Sequence, residues 1–396
     1  MARSWLIIVA AFAVTLPAIV AHLGGGPAHL APGLAALAFG VAILGGAFLL
    51  TWAAEVAEMD VSQGLALAFL ALVAVLPEYA VDLYFAWSAA ADPSYTAYAT
   101  ANMTGANRLL IGIAWPLIVA LFWLRTRHAE LKLPPDRAVE LVFLSLATVY
   151  SFVIPLKGTL SLVDTVVLSS LFVAYMWRIA RGGAAEPELV GPAVVLAAFR
   201  PWIRRAVVAG LFVFSAAVIL ASAEPFAEAL VDLGRHTGID EFLLVQWVAP
   251  LASEAPEIVI ACILTLRGEA QAGMGAVVSS KVNQWTLLIG TLPLVYSVAL
   301  GHPGALHLDA RQVEEILLTA AQSLFAVVVL SNLRLSVLEA TVLMVLFLSQ
   351  LLLPSTEVRY GFAFAYVALA AVMLVRRRND LATFLRAGLF GRPRRW

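Results

Sequence analysis

Residues 251–261 read LASEAPEIVIA, and residues 75–82 read VLPEYAVD. Each sets a Pro-Glu pair deep inside an apolar run, after FLLVQWVAP (242–250) in one case and LALAFLALVA (65–74) in the other. A charge at mid-bilayer costs about 2.5–3.5 kcal/mol on insertion scales. The proline frees a carbonyl one turn earlier in the helix. A freed carbonyl beside a carboxylate offers hard oxygen ligands of the kind that suit Na⁺ and Ca²⁺. The bland alternative is a protonated structural glutamate beside a simple kink. It accounts for one such place more easily than for two matching ones. The two pairs therefore point to a polar cavity in which a cation takes the place of water.

Composition sets the surroundings. The chain has 396 residues, 62% of them hydrophobic and 13% charged, with a mean hydropathy of +0.91. Soluble domains are about half apolar and about a quarter charged, so this is an integral membrane protein. Its formal net charge of −1 says nothing about nucleic acid; no basic patch is interleaved with aromatics, so no nucleic-acid partner is expected. The single cysteine, Cys262, allows no internal disulfide and no thiolate cluster. There is no His-Glu-x-x-His motif and no nucleophile–base pair, so the chain reads as a non-enzyme with no resident cofactor.

Apolar segments of spanning length fall at 5–23, 33–57, 62–90, 99–124, 138–156, 160–180, 203–230, 240–267, 271–300, 311–330, 335–353 and 359–376. They are too long and too continuously apolar for barrel strands, so the predicted fold is an all-α polytopic one of about 12 helices. The first segment reads as a retained helix rather than a cleaved secretory signal. The tail arginines Arg376, Arg377, Arg378, Arg386, Arg392, Arg394 and Arg395 put both termini in the cytoplasm; the membrane is expected to be the plasma (inner) one. The loop with Arg125, Arg127, Lys132 and Arg137 and the loop with Arg178, Arg181, Arg200, Arg204 and Arg205 then also lie inside. The outer loops hold Lys157, Arg235, Arg311 and Arg359 singly.

The Pro-Glu runs are each followed by a stretch of small and amide residues, ATANMTGANRLLIG (99–112) and GAVVSSKVNQWTLLIG (275–290), and the shared LLIG aligns them. Five spans separate corresponding points, and an odd number inverts the second copy. Glu78 then lies on an outward-running helix and Glu257 on an inward-running one. Inverted repeats with one acid in each half suit alternating access about a midplane site.

These residues resemble the sodium/calcium exchanger (cation/Ca²⁺ exchanger) superfamily, whose two inverted repeats each carry Thr-Ser-x-Pro-Glu and then Gly-Ser-Asn-x-x-(Asn/Asp). SEAPE (253–257) and VLPE (75–78) stand at the first motif, and GAN (105–107) and SSK (279–281) at the second. The first repeat has about five extra residues near ADPSY. The resemblance implies two inverted five-helix repeats at 33–181 and 203–353. A first helix and loop (1–32), a cytoplasmic linker (182–202), and a last helix with a basic tail (354–396) would be additions. It also implies ion binding by Glu78, Glu257, Ser253, Asn107 and Ser280. The chain departs from the pattern where Ala74 and Val75 replace Thr-Ser, where Leu110 and Gln284 stand at the later ligand position, and where Lys281 is the counterpart of Asn107.

New charges accompany those departures. Glu78 and Asp82 are four apart and Glu254 and Glu257 three apart, so each pair shares a helix face. Arg108 and Lys281 lie in the following stretches as tethered cations for these carboxylates. The functional reading is a secondary cation antiporter, with Glu78, Asp82, Ser253, Glu254, Glu257, Asn107, Ser280 and Gln284 at the site. It moves Ca²⁺ or another cation against Na⁺ or H⁺, with inorganic cations and the lipid bilayer as its partners. The alternative is a non-transporting relative, structural or sensory, whose site is locked by an internal salt-bridge network.

Overall fold

The computed structural model describes residues 2–24, 30–60, 75–181, 189–353 and 355–391. Expectations for residues 61–74, including the first half of the third span and Ala74, lie outside these residues. So do those for 182–188 of the linker and for Arg392, Arg394 and Arg395 of the tail.

The helices in chain order are α1 (Ala2–Ala13), α2 (Leu16–Leu23), α3 (Pro32–Ala57), α4 (Leu76–Ser88), α5 (Tyr95–Leu109), α6 (Trp115–Thr126), α7 (Ala138–Ser151), α8 (Val153–Lys157), α9 (Leu162–Ala180), α10 (Pro192–Ala197), α11 (Pro201–Thr237), α12 (Glu241–Arg267), α13 (Ala270–Asn283), α14 (Ile289–Leu300), α15 (Ala310–Leu330), α16 (Val337–Leu352), α17 (Thr356–Arg376) and α18 (Arg378–Phe390). Among the described residues nine helical runs are long and apolar enough to cross a membrane. To these α16 adds a shorter apolar helix, α4 the described part of the third span, and α13 to α14 a run unbroken from Ala270 to Leu300. The fold is the expected all-α polytopic one. Two differences appear at its ends. The first segment is two helices, because Pro17 at the start of α2 lacks an N–H and a turn intervenes at Val14–Thr15. Arg359, expected in an outer loop, lies in the first turn of α17 and is buried.

The chain divides into two compact units, Met1–Phe85 with Gly183–Glu257, and Ala86–Gly182 with Ile258–Trp396. In the first unit α11 packs along α3. Gly45 of α3 lets α1 come close, since a Cβ there would lie 2.7 Å from the Ala11 carbonyl oxygen and 2.6 Å from Val14 Cγ2. On the polar end of this pair, Arg204 holds Asp60 by two hydrogen bonds of 2.7 and 2.8 Å.

In the second unit α15 is the enclosed helix: 83% of its most apolar stretch is buried, against 22% for α17, which packs on it. Among the described residues four three-residue strands follow or precede the spans: β1 (Glu130–Lys132), β2 (Thr159–Ser161), β3 (Ala305–His307) and β4 (Arg334–Ser336). β1 pairs antiparallel with β4, Leu131 opposite Leu335, and β2 with β3, Leu160 opposite Leu306. Each ribbon joins a loop of one repeat to a loop of the other, and both join loops that the arginine and lysine count puts on the same side. Capping boxes start the helices after these strands, with Ser161–Asp164 at α9, Asp309–Gln312 at α15 and Ser336–Glu339 at α16.

The helices α5 and α13 each widen into a π-turn, Leu110–Ala114 and Gln284–Leu288, before continuing as α6 and α14. The Trp115 N–H bonds back to the Leu110 carbonyl, five residues away. The π-turns begin three residues after Asn107 and three after Lys281. They match the register that the motifs give, with Asn107 equivalent to Lys281 and Leu110 to Gln284. The two LLIG strings are out of that register by one helical turn, so the alignment drawn through them was a coincidence of apolar sequence.

Candidate ion site

α4 carries Glu78 in its first turn and Asp82 one turn later. α12 is helical throughout although Pro250 and Pro256 lie inside it. Neither proline has an N–H to give to the helical ladder. Ser253 Oγ lies 3.4 Å from the carbonyl oxygens of both Ala249 and Pro250. These two helices bring Glu78, Glu254 and Glu257 together: one oxygen of each lies within 4.8 Å of the others. Glu78 is 2% exposed and Glu254 and Asp82 are 0% exposed, while Glu257 is half-buried. The cluster, with Asp82 and Ser253, belongs wholly to the first unit. Asp82 is thus an interior residue and not a solvated helix end.

The remaining expected residues sit together in the second unit. Lys281 and Asn107, the equivalent positions of the two repeats, meet. The Lys281 ammonium donates to Asn107 Oδ1 at 2.6 Å and lies 3.3 Å from the Asn107 carbonyl oxygen. It also stands over the Trp285 ring, 4.3 Å from its centroid. Both residues are fully buried, so Lys281 does not snorkel to an interface. Gln284 Nε2 donates to Ser280 Oγ at 3.2 Å. Ser279, one residue back, donates to Glu140 Oε1 at 3.0 Å and is within 3.1 Å of Tyr175 Oη, which ties α13 to α7 and α9.

Arg108 forms its ion pair with Glu315 of α15, and Glu315 also pairs with Arg359 of α17. Glu314 lies 3.6 Å from Arg359 Nε. Gln322 Nε2 donates to the Arg108 carbonyl at 3.3 Å. The sequence reading did not name Glu140, Glu314, Glu315 or Gln322. The signal available for three of them was the one used for Glu78: a polar side chain inside an apolar segment, as in VEEILLTAAQ (313–322). It went unread because the glutamates stand near the start of their span, where solvated acids are common.

The family model described as sodium/calcium exchanger protein matches residues 30–180 and 207–356, three-quarters of the chain and both repeats. The chain belongs to the sodium/calcium exchanger family. A solved structure described as the H⁺/Ca²⁺ exchanger CAX is 44% identical to this exchanger-family chain, covers 98% of each, and superposes with a TM-score of 0.93. YfkE in its native form (14% identity, 92% of this chain and 99% of that one, TM-score 0.60) shares the fold. So does the sodium-calcium exchanger NCX_Mj (17%, 81% and 97%, 0.53). No curated protein sequence matches. The family match ends at Ser355–Thr356, where α17 begins, so Arg359 reaches Glu315 from a helix beyond the matched exchanger repeats.

Proposed function

We propose that this family member is a secondary antiporter that exchanges Ca²⁺ for protons at Glu78, Glu254 and Glu257. The observation that carries the reading is the approach of three carboxylates within 4.8 Å of one another. Ionised groups about 4 Å apart repel by roughly 4 kcal/mol per pair at an effective dielectric of 20. Such a cluster is neutralised either by a divalent cation or by protons, and the two compete for the same oxygens. That competition is what an exchanger requires. Ca²⁺ takes six to eight oxygen ligands, and Ser253 is a neutral oxygen ligand on the same helix as two of the acids. The 44%-identical relative, described as an H⁺/Ca²⁺ exchanger, favours protons over Na⁺ as the counter-ion.

On this reading residues 33–181 and 203–353 are the moving repeats. Residues 182–202 link them on the cytoplasmic side of a plasma membrane, and 1–32 and 354–396 are additions. Asp82 tunes the charge beside Glu78.

The test is ⁴⁵Ca²⁺ uptake into proteoliposomes under an imposed pH gradient, then under a Na⁺ gradient. The pH gradient drives uptake, and Glu78→Gln and Glu257→Gln each reduce it to background while leaving the protein folded. Flux that survives in both variants places the path elsewhere. A second reading, a locked relative that does not transport, draws on the buried Arg108–Glu315–Arg359 network. It predicts no flux under either gradient.

A further inference from the structure

The meeting of Lys281 with Asn107 has a chemistry separate from the carboxylate cluster. The two side chains come from equivalent positions of the repeats, three residues before each π-turn. The ammonium faces the amide oxygen of Asn107 at 2.6 Å, its backbone carbonyl at 3.3 Å and the face of Trp285 at 4.3 Å. Asn107 is held in place from behind, its Nδ2 donating to the Met103 carbonyl at 2.7 Å. Carbonyl oxygens replace the hydration shell of a monovalent cation, and an aromatic face attracts a cation. Lysine is seldom fully buried, and a lysine within a span ordinarily reaches for the interface. At 0% exposure this one is kept inside by its partners.

We infer that the Lys281 ammonium is the permanent occupant of a monovalent-cation site built from Asn107 and Trp285, so that the protein works without Na⁺ or K⁺. A charge tethered by its own side chain cannot leave with the cargo. It neutralises the same space in every state and takes no part in the ion count of a cycle. Na⁺ and K⁺ are excluded from that space, which makes Lys281 a specificity-determining residue. The flux consequence rests on the antiporter reading above; the binding consequence does not.

The experiment uses the purified full-length chain in detergent. Its melting is followed in choline chloride as NaCl, KCl or ethylammonium chloride replaces choline at constant ionic strength. The wild type shows no saturable response to any of the three. Lys281→Ala, which empties the site, melts lower in choline and gains about 3 °C or more, saturably, from the cation that fits. In proteoliposomes that same cation raises the variant's ⁴⁵Ca²⁺ uptake several-fold and leaves the wild type unchanged. If Lys281→Ala cannot be recovered in any of these salts, Lys281→Gln, which removes the charge and keeps most of the bulk, goes through the same titration. A variant indifferent to every monovalent cation overturns the inference, since Lys281 would then be only a helix-to-helix hydrogen bond. A wild type that responds as its variant does overturns it as well. A wild type without Ca²⁺ flux, beside a variant whose melting responds to the cation, refutes the antiporter reading and keeps the cation site.

Discussion

Glu78, Glu254 and Glu257 share a small space but do not stand alike in it. Glu78 and Glu254 are buried, whereas Glu257 is half-buried. Glu254 is the member that the family pattern lacks, standing next to Ser253 where a neutral residue is expected. Glu254→Gln keeps the volume and removes one charge, so uptake should persist at a reduced rate, with fewer protons returned per Ca²⁺. Paired measurements of ⁴⁵Ca²⁺ and lumenal pH would read the ratio, and an unchanged ratio would remove Glu254 from the exchange. Glu315 is a different kind of buried acid. It is shared by Arg108 and Arg359, and losing one partner of a buried ion pair costs about 3–5 kcal/mol because the other charge is left behind. Glu315→Gln should lower the melting temperature in detergent markedly, and a shift under about 1 °C would show that the network contributes little.

The first-repeat π-turn lies close against α16. A Cβ added at Gly112 would run into Phe347 of α16. Overpacking of this kind costs about 1–3 kcal/mol. Gly112→Ala should therefore destabilise the protein, and Phe347→Ala in the same chain should recover part of the loss. A double-mutant cycle measures the coupling, and additive effects would mean that the helices part without resistance. At the end of α3 the pairing is electrostatic. The Arg204 guanidinium bonded to Asp60 holds that carboxyl below the ordinary carboxylate range, and Arg205 adds to the effect. A lowered value in the folded state means stability that is present above the unfolded value, about 3.9, and is lost as pH falls through the folded one. The melting gap between the wild type and Asp60→Asn should be constant above about pH 5 and close below about pH 4. A gap that ignores pH would mean that the pair is not ionic.

For the whole molecule the ribbons offer a test of topology. Lys132 stands opposite Arg334, and both fall on the side that the arginines make cytoplasmic. On a Cys262→Ala background, single cysteines at 132 and 334 should react with a membrane-impermeant thiol reagent from the cytoplasmic side. A cysteine at His302 should react from the outside. Reaction of 132 and 302 from one side would break the inverted-repeat arrangement.

Fold class, family and the acids within the spans were legible in the sequence, and for one physical reason. A bilayer penalises every buried charge, so Glu78, Asp82, Glu254 and Glu257 stand out against apolar neighbours without any knowledge of contacts. The same penalty marked Arg108 and Lys281 as interior, but it is silent about partners, because a charge within a span is equally conspicuous whatever it faces. Only the tertiary structure decided that Arg108 pairs with Glu315, that Arg359 is a buried member of that network, and that Lys281 rests between Asn107 and Trp285. The motif pairing of Asn107 with Lys281 already carried the register of the repeats, and the π-turns agree with it. Apolar strings such as LLIG recur by composition, whereas the π-turns at Leu110 and Gln284 arise from backbone hydrogen bonds that no single residue type announces.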